Sequence, residues 1–546
     1  MSSTRRRAFA VIAAGALAVS VAYASPANAA PPPSNNNSVA KLTKAVTLSG
    51  VLGHLEALQD IADANGGNRA AGLPGYEASV DYVMAQLQAA GYQPEKQAFQ
   101  FDYFEEDSEL IRVSPEPMTF VEGSDFLRNQ FDSGTPEGTA TGTLVGVDLT
   151  IPPVPVVGSS GCEAADFAGF PAGGIALMQR GTCGFAVKAL NAQAFGAAAA
   201  IIMNDGRPGE LVGMIGDATG LTIPVVWATT PAGMNLAGTL GATVTVTVEF
   251  TAEERTAWNV IAETKAGNDR NVVMAGAHLD GVQEGAGIND NGSGSAALLE
   301  AAIQMSKVKP NNTVRFAWWG AEESGLLGSA HYVRELSEAQ AQDIALYLNF
   351  DMIASPNYMF GIYDGDNSGA TALPGFIPEG SAQIEDVFEA FYDSRGLPYN
   401  DSEFSGRSDY GPFIAIGIPA GGLFTGAEGQ KTVEQAAWYG GLPGESYDPC
   451  YHAFCDNLTG DGQDQALYDA LRAEYDLVGN VNTFALDVNS DAVAAAIITF
   501  AFDTSKVNGV KAPGKSHGAG KSADAFKDRV NRLDDRLNQF ADRVNQ

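Results

Sequence analysis

Residues 271–278 read NVVMAGAH, residues 313–320 TVRFAWWG and residues 345–352 ALYLNFDM. Each is a short apolar run that reads as a buried strand, and helical stretches from Gly294 to Met305 and near Ser329 to Glu335 lie between them. Strand and helix in alternation argue an α/β fold, a doubly wound and mostly parallel sheet with helices on both faces. Each run also leads into a residue able to bind metal: His278, then Glu322 with Glu323, then Asp351. Open α/β sheets gather their sites beyond the carboxyl ends of the strands, so residues distant in sequence are expected to meet there.

The local chemistry supports a metal reading. In His278-Leu279-Asp280 two polar side chains fall on one side of an extended backbone, so Asp280 is expected to accept the second imidazole N–H and fix the tautomer. Residues 285–294, GAGINDNGSG, form a glycine-rich loop before a helix but lack both the G-x-G-x-x-G pattern and a P-loop lysine. With metals bound, the glycines would let backbone approach the site and Asp290 would bridge two cations; an ordinary Asx turn is the plainer alternative. Neighbouring side chains diverge, so Glu323 can bind metal while Glu322 faces water as a general base. Asp351 ends a buried strand, where an unpaired charge is expensive. His452 sits between Cys450 and Cys455, in a loop that a disulfide would stiffen. His54, His331 and His517 fall in helical, amphipathic and linker contexts and read as bystanders.

The 546 residues carry a formal charge of -33, which argues against nucleic-acid and anionic-membrane partners, since both require a positive surface. Arg5, Arg6 and Arg7, an apolar run from Ala8 to Ala24 and the small residues Ala27-Asn28-Ala29 read as a cleaved export signal over residues 1–29. That run is shorter than the ~20 residues a spanning helix needs, and no later segment reads as membrane-spanning. The paired arginines fit a twin-arginine route and a general secretory route alike. Four cysteines pair locally by spacing, Cys162 with Cys183 and Cys450 with Cys455, as a secreted, extracellular chain permits. A four-thiolate zinc site is the rival, and neither pair has C-x-x-C spacing.

More than one core is expected at this length. Residues 30–41 read as a flexible leader, 42–137 as the first part of a catalytic domain and 251–504 as its second part. Helical periodicity runs from Leu42 to Ala62, and a second amphipathic helix, Tyr76 to Ala90, stops at Gly91. Between the two parts, residues 138–250 change to short strands broken by Gly and Pro (GTLVGVDL, GGIALMQRG, AAAAIIMND, TVTVTVEF). Residues 505–546 read as a linker and a charged helix with an apolar stripe of Phe526, Val530, Leu533, Leu537 and Phe540.

Taken together, HLDG (278–281), GINDNGSG (287–294), WWGAEESGLLGS (318–329), NFDMI (349–353) and the dipeptide Tyr451-His452 resemble the secreted two-zinc aminopeptidases of peptidase family M28, in particular the actinobacterial leucine aminopeptidase group. GNRAAGLPGYEASVDYV (67–83) and GRSDYGPF (406–413) extend the resemblance over most of residues 42–504. It implies the zinc exopeptidase fold, with one zinc on His278 and Asp351, the other on Glu323 and His452, and Asp290 between them. Glu322 would be the general base, Tyr451 would polarise the scissile carbonyl and Arg407 would lie near the substrate. The segment 138–250 is similar to the protease-associated (PA) domain inserted in larger members. The implied activity is removal of an N-terminal residue, large and apolar such as Leu, from peptides by a monomer.

Arg407 is nearly alone as a cation for holding an α-carboxylate, which favours an aminopeptidase over a carboxypeptidase. A glutaminyl cyclase would work with one zinc, and a non-catalytic binding protein would have lost ligands. Asp487 and Asp491 suit either a structural calcium, as in related enzymes, or a helix cap.

Overall fold

A computed structural model describes residues 35–106, 108–128, 136–155, 157–207, 218–370, 372, 376–511, 523–533 and 536–537. The expected export signal and the first residues of the leader lie outside them.

The strands read first from sequence, Asn268–His278, Asn312–Trp319 and Ile344–Phe350, lie at the centre of an eight-stranded sheet. Asn268–His278 pairs in parallel with both of the others, and Ile344–Phe350 pairs in parallel with Ala420–Phe424. Both flanks are antiparallel. On one side Phe250–Glu263 joins Asn312–Trp319 and is itself covered by Glu95–Glu106; on the other Gly361–Tyr363 joins Ala420–Phe424. Asn400–Ser402 completes the sheet beside Gly361–Tyr363.

The near-continuous apolar runs are explained by burial on both faces. Val273, Ala275 and Ala277 face one core with Phe316, Trp318, Leu346 and Leu348. Their neighbours Val272, Met274, Ala317, Trp319 and Tyr347 face the other. Helices Leu48–Ala64, Pro74–Ala90, Gly294–Met305 and Thr483–Phe502 contribute to the first core; Leu327–Glu335 and Tyr410–Ile416 contribute to the second. Thr483–Phe502 is long and apolar enough to cross a membrane, but most of it is buried inside this layer.

Two details differ from the sequence reading. The helical stretch from Leu42 to Ala62 is two helices, Val39–Ala45 and Leu48–Ala64, because the Thr47 side chain accepts the Gly50 N–H at 3.2 Å and starts a new helix. Asp487 and Asp491 lie inside the helix Thr483–Phe502, whose N-cap is Asn482, so neither caps it, and Asp491 pairs with Arg395, Nη2 to Oδ2 at 2.6 Å.

A second eight-stranded sheet runs Met118–Phe120, Glu109–Ser114, Thr243–Val248, Gly138–Gly146, Ile175–Gln179, Ala199–Met203, Val225–Ala228, Phe126–Arg128. Its faces carry two cores of their own, with helices Phe185–Ala194 and Thr230–Ala237 packed against it. Gly123 brings this unit against the Glu284 side chain, 3.5 Å from where a Cβ would stand. In the C-terminal segment Phe526, Val530, Leu533 and Leu537 pack on the core beside Tyr410–Ile416, and Arg529 Nη1 donates to the Ile416 carbonyl at 2.8 Å. Phe540 lies outside the described residues.

Candidate metal centre

His278 is the last residue of its strand, Asp351 directly follows Ile344–Phe350, and Glu322 and Glu323 follow Asn312–Trp319 by three and four residues. All therefore sit at carboxyl ends of neighbouring parallel strands. Asp290 lies in the irregular turn Ile288–Ser293 that opens the helix Gly294–Met305. Glycine is required here: a Cβ on Gly294 would stand 2.2 Å from the Phe350 carbonyl, and Gly287 has φ 62° with a virtual Cβ 2.6 Å from the Asp290 carbonyl. His452 comes from the loop closed by the Cys450–Cys455 disulfide; Cys162 and Cys183 form the other disulfide.

The six side chains converge. His278 Nε2 lies 3.3 Å from Asp290 Oδ1, 3.3 Å from Asp351 Oδ1 and 4.0 Å from Glu322 Oε2. His452 Nε2 lies 3.3 Å from Asp290 Oδ2 and 3.0 Å from Glu323 Oε2. The ligand atoms of His278, Asp290 and Glu323 lie within 4.8 Å of one another, as do those of His278, Glu322 and Asp351. Glu323 Oε1 is buried without a hydrogen-bond partner. Four carboxylates and two imidazoles, buried or half-buried with His452 the most exposed, form a donor set suited to divalent zinc, and the orphaned Glu323 oxygen leaves room for a further bond.

The electrostatics agree. Burial opposes charge on His278, yet Asp351, Glu322 and Asp290 together lift its pKa well above the ordinary histidine value. Burial raises the Glu322 carboxyl well above its ordinary range, and the nearby Asp409, Glu323 and Asp351 add to the rise. Burial would also raise Asp290, but hydrogen bonds from both histidines outweigh it and hold that carboxyl low. Such a cluster is costly unless cations balance it.

Asp280 stands behind His278, though not as the sequence suggested. The Asp280 main-chain carbonyl is the atom within hydrogen-bond distance of His278 Nδ1, at 3.0 Å, while its carboxylate is 3.8 Å away. That carboxylate is taken by the backbone N–H groups of Glu322 at 3.2 Å and Glu323 at 3.4 Å. It therefore fixes the tight turn bearing both glutamates.

Arg407 and Tyr451 are joined at the rim. Arg407 pairs with Glu428 at 2.7 Å and its Nη2 lies 3.4 Å from the Tyr451 hydroxyl. The Tyr451 ring stacks on His452 with centroids 3.8 Å apart, and burial keeps its phenol protonated. Beside the cluster opens a cavity of about 440 Å³ walled by Met352, Met359, Tyr363, Ser402 and Phe424.

Several residues at the site went unread in the sequence. Ser408 donates to Asp351 Oδ2 at 2.6 Å, and Arg69 is fully buried, donating to the carbonyls of Leu279, Ala286 and Gly287. Asp409 is buried beside them and its carboxyl is pushed up to about 8 by burial. Asp448 and Asp456 bracket the Cys450–Cys455 loop, and that flanking pair of acids was the available signal.

Residues 259–471 match the family model of peptidase family M28, and residues 140–236 match that of the PA domain. The chain belongs to peptidase family M28 and carries a PA domain. It is 45% identical over 498 residues to an aminopeptidase of Pseudomonas aeruginosa (strain UCBPP-PA14), covering 89% of this chain and 88% of the relative. It is 41% identical to the probable lipoprotein aminopeptidase LpqL of Mycobacterium tuberculosis, covering 86% of this chain and 88% of that one. Among solved structures, an aminopeptidase from Aneurinibacillus sp. strain AM-1 is similar with a TM-score of 0.56 at 28% identity, covering 84% of this chain and 95% of that one. BSAP, a zinc aminopeptidase from Bacillus subtilis, shares the fold with a TM-score of 0.58 at 22% identity, covering 83% and 95%.

Proposed function

We propose that this chain is a secreted metallo-aminopeptidase that removes N-terminal residues from peptides with two zinc ions held by His278, Asp290, Glu323, Asp351 and His452. The observation that carries the two-metal reading is the division of Asp290, with one oxygen 3.3 Å from His278 Nε2 and the other 3.3 Å from His452 Nε2. Asp290 is then the bridge, His278 with Asp351 completes one half-site, and Glu323 with His452 completes the other.

When bound, zinc lowers the pKa of a water and polarises the scissile carbonyl. Glu322 takes the proton from the attacking water and returns it to the departing amine. Tyr451, kept protonated and steered by Arg407, donates to the oxygen on which charge develops. Asp280 keeps Glu322 and Glu323 apart in their separate roles.

Met352, Met359, Tyr363 and Phe424 in the cavity wall support a preference for large apolar N-terminal side chains such as Leu, while Asp401 and Glu403 line the same cavity. Arg407 is already paired with Glu428, which leaves it poorly placed to hold a substrate carboxylate and supports the aminopeptidase reading over a carboxypeptidase. Two disulfides and the expected leader support secretion. The catalytic domain is proposed to span residues 42–106 and 250–504 and the insert residues 109–248, an earlier start than 138 because Glu109–Ser114, Met118–Phe120 and Phe126–Arg128 join the second sheet, and the enzyme to act as a monomer.

The test is hydrolysis by zinc-loaded protein of leucine p-nitroanilide, its N-blocked form and a carboxypeptidase substrate. Cleavage of the free-amine substrate alone is expected; cleavage of the carboxypeptidase substrate would sink the assignment.

A further inference from the structure

Asp456 lies one residue beyond the disulfide loop that carries His452, yet its hydrogen bonds go to the turn that carries Asp290. Its main-chain carbonyl accepts the Ile288 N–H at 3.3 Å, Oδ1 accepts the Asn289 N–H at 2.8 Å and Oδ2 accepts the Asp290 N–H at 3.0 Å. Three consecutive backbone donors thus end on one residue. Its own N–H donates to the Ala453 carbonyl at 3.0 Å, which ties it back to the histidine loop.

A second layer holds Asp456 in place. Asn480 Nδ2 donates to Asp456 Oδ1 at 2.8 Å and to Asp448 Oδ1 at 2.9 Å. Asp448 in turn accepts the Asn289 side chain at 2.6 Å and the Cys450 N–H at 2.8 Å. The Tyr468 hydroxyl fixes the Asn480 carbonyl oxygen at 2.5 Å. Asn289 in the turn and Asp448, Asp456 and Asn480 behind it are all buried.

We infer that Asp456, backed by Asn480 and Asp448, is a positioning clamp that sets the distance between Asp290 and His452 and so tunes the affinity of the second half-site for zinc. The inference rests on the two-zinc reading above. Asp456 touches neither metal nor substrate; it acts through the backbone of Asp290. Arg69 holds the carbonyls of Ala286 and Gly287 just ahead of the turn, so the entry to the turn is gripped through its acceptors and the turn itself through its donors. Removing the Asp456 carboxylate leaves two buried N–H groups without an acceptor, and the turn must shift to find water or new partners. Outer residues that orient ligands change metal affinity by about 10 to 100-fold when lost.

The experiment compares the full-length wild type with Asp456→Ala and Asn480→Ser by zinc titration, by the visible spectrum after cobalt substitution, and by kcat and KM for leucine p-nitroanilide. Asp456→Ala is expected to weaken the second of two metal equivalents by about 10 to 100-fold. It should also alter one of two cobalt bands and lower kcat more than it raises KM. A folded Asp456→Ala with wild-type affinity for both ions and a wild-type cobalt spectrum would overturn the clamp. If Asp456→Ala does not fold, Asn480→Ser decides: a several-fold weaker second ion supports the clamp, and wild-type binding overturns it. A wild type that binds a single ion would instead remove the two-zinc reading, and the clamp with it.

Discussion

Asp290 and His452 come from segments more than 160 residues apart, yet Oδ2 of one lies 3.3 Å from Nε2 of the other. The pairing matters because Asp290 turns its other oxygen to His278, so one carboxylate spans both histidines. Asp290→Asn should therefore disturb both half-sites at once. Metal content measured by mass spectrometry is expected to fall below one ion per chain, and retention of two would show that the bridge lies elsewhere.

Glu322→Gln is expected to lower kcat by about 10² to 10⁴-fold, the usual range for a lost general base, while zinc content stays at the wild-type level. Glu323→Gln should do the reverse in order of cause, losing metal first and activity as a result. Parallel assays of turnover and bound zinc separate the two; equal metal loss in both variants would merge the roles assigned to these neighbours.

Removing zinc with a chelator should leave Asp290, Glu322, Glu323 and Asp351 facing one another around two histidines. Their repulsion predicts a lower melting temperature for the apo form, restored by zinc through its preferential binding to the folded chain. Scanning calorimetry before and after zinc addition reads this directly. An apo form as stable as the holo form would argue that the cluster is balanced without cations.

The Cys450–Cys455 loop offers a separate handle. A short loop of this kind contributes about 2 kcal/mol by restricting the unfolded chain. Replacing both cysteines by serine is expected to reduce unfolding free energy by about that amount and to weaken zinc binding at the His452 side. Urea unfolding together with zinc titration checks both parts, and an unchanged second zinc affinity would limit the disulfide to a stability role.

Lys431 provides a pH test away from the metals. Its ammonium is buried among Tyr358, Tyr439 and Tyr475, 5.3 to 5.8 Å from their ring centroids, and donates to the Gly440 carbonyl at 2.7 Å. Burial lowers its pKa from 10.5 to about 7, with Glu474 opposing. Between those two values the unfolded chain holds one proton more than the native chain, so native stability rises with pH across that window. Wild type should gain on Lys431→Met by up to about 1.4 kcal/mol per pH unit from neutrality toward pH 10, and level off above it. Denaturant melts at stepped pH measure the difference; a flat difference would place the ammonium in contact with water.

The core of this arrangement was legible because each central strand ends on or shortly before its polar residue: NVVMAGAH ends on His278 and ALYLNF runs directly into Asp351. Local pattern carries that much, since a strand buried on both faces must be apolar throughout. It does not carry pairing across long intervals, so the antiparallel cover of Phe250–Glu263 by Glu95–Glu106 was not foreseen. Nor does it distinguish an aspartate's carboxylate from its carbonyl, which is why the partner of His278 Nδ1 was assigned to the wrong oxygen of Asp280. Asp456 is marked in the sequence only as one of two acids flanking the disulfide loop; its action on backbone N–H groups leaves no trace in residue type.

The proposed metal ligands begin at His278, close to the middle of the chain, and finish at His452. In order of synthesis, the proposed ligands all fall in the second half of the chain, and the last of them is added only after about four-fifths of the residues are made. On the two-zinc reading, a chain interrupted anywhere before that point lacks His452 and cannot complete the second half-site.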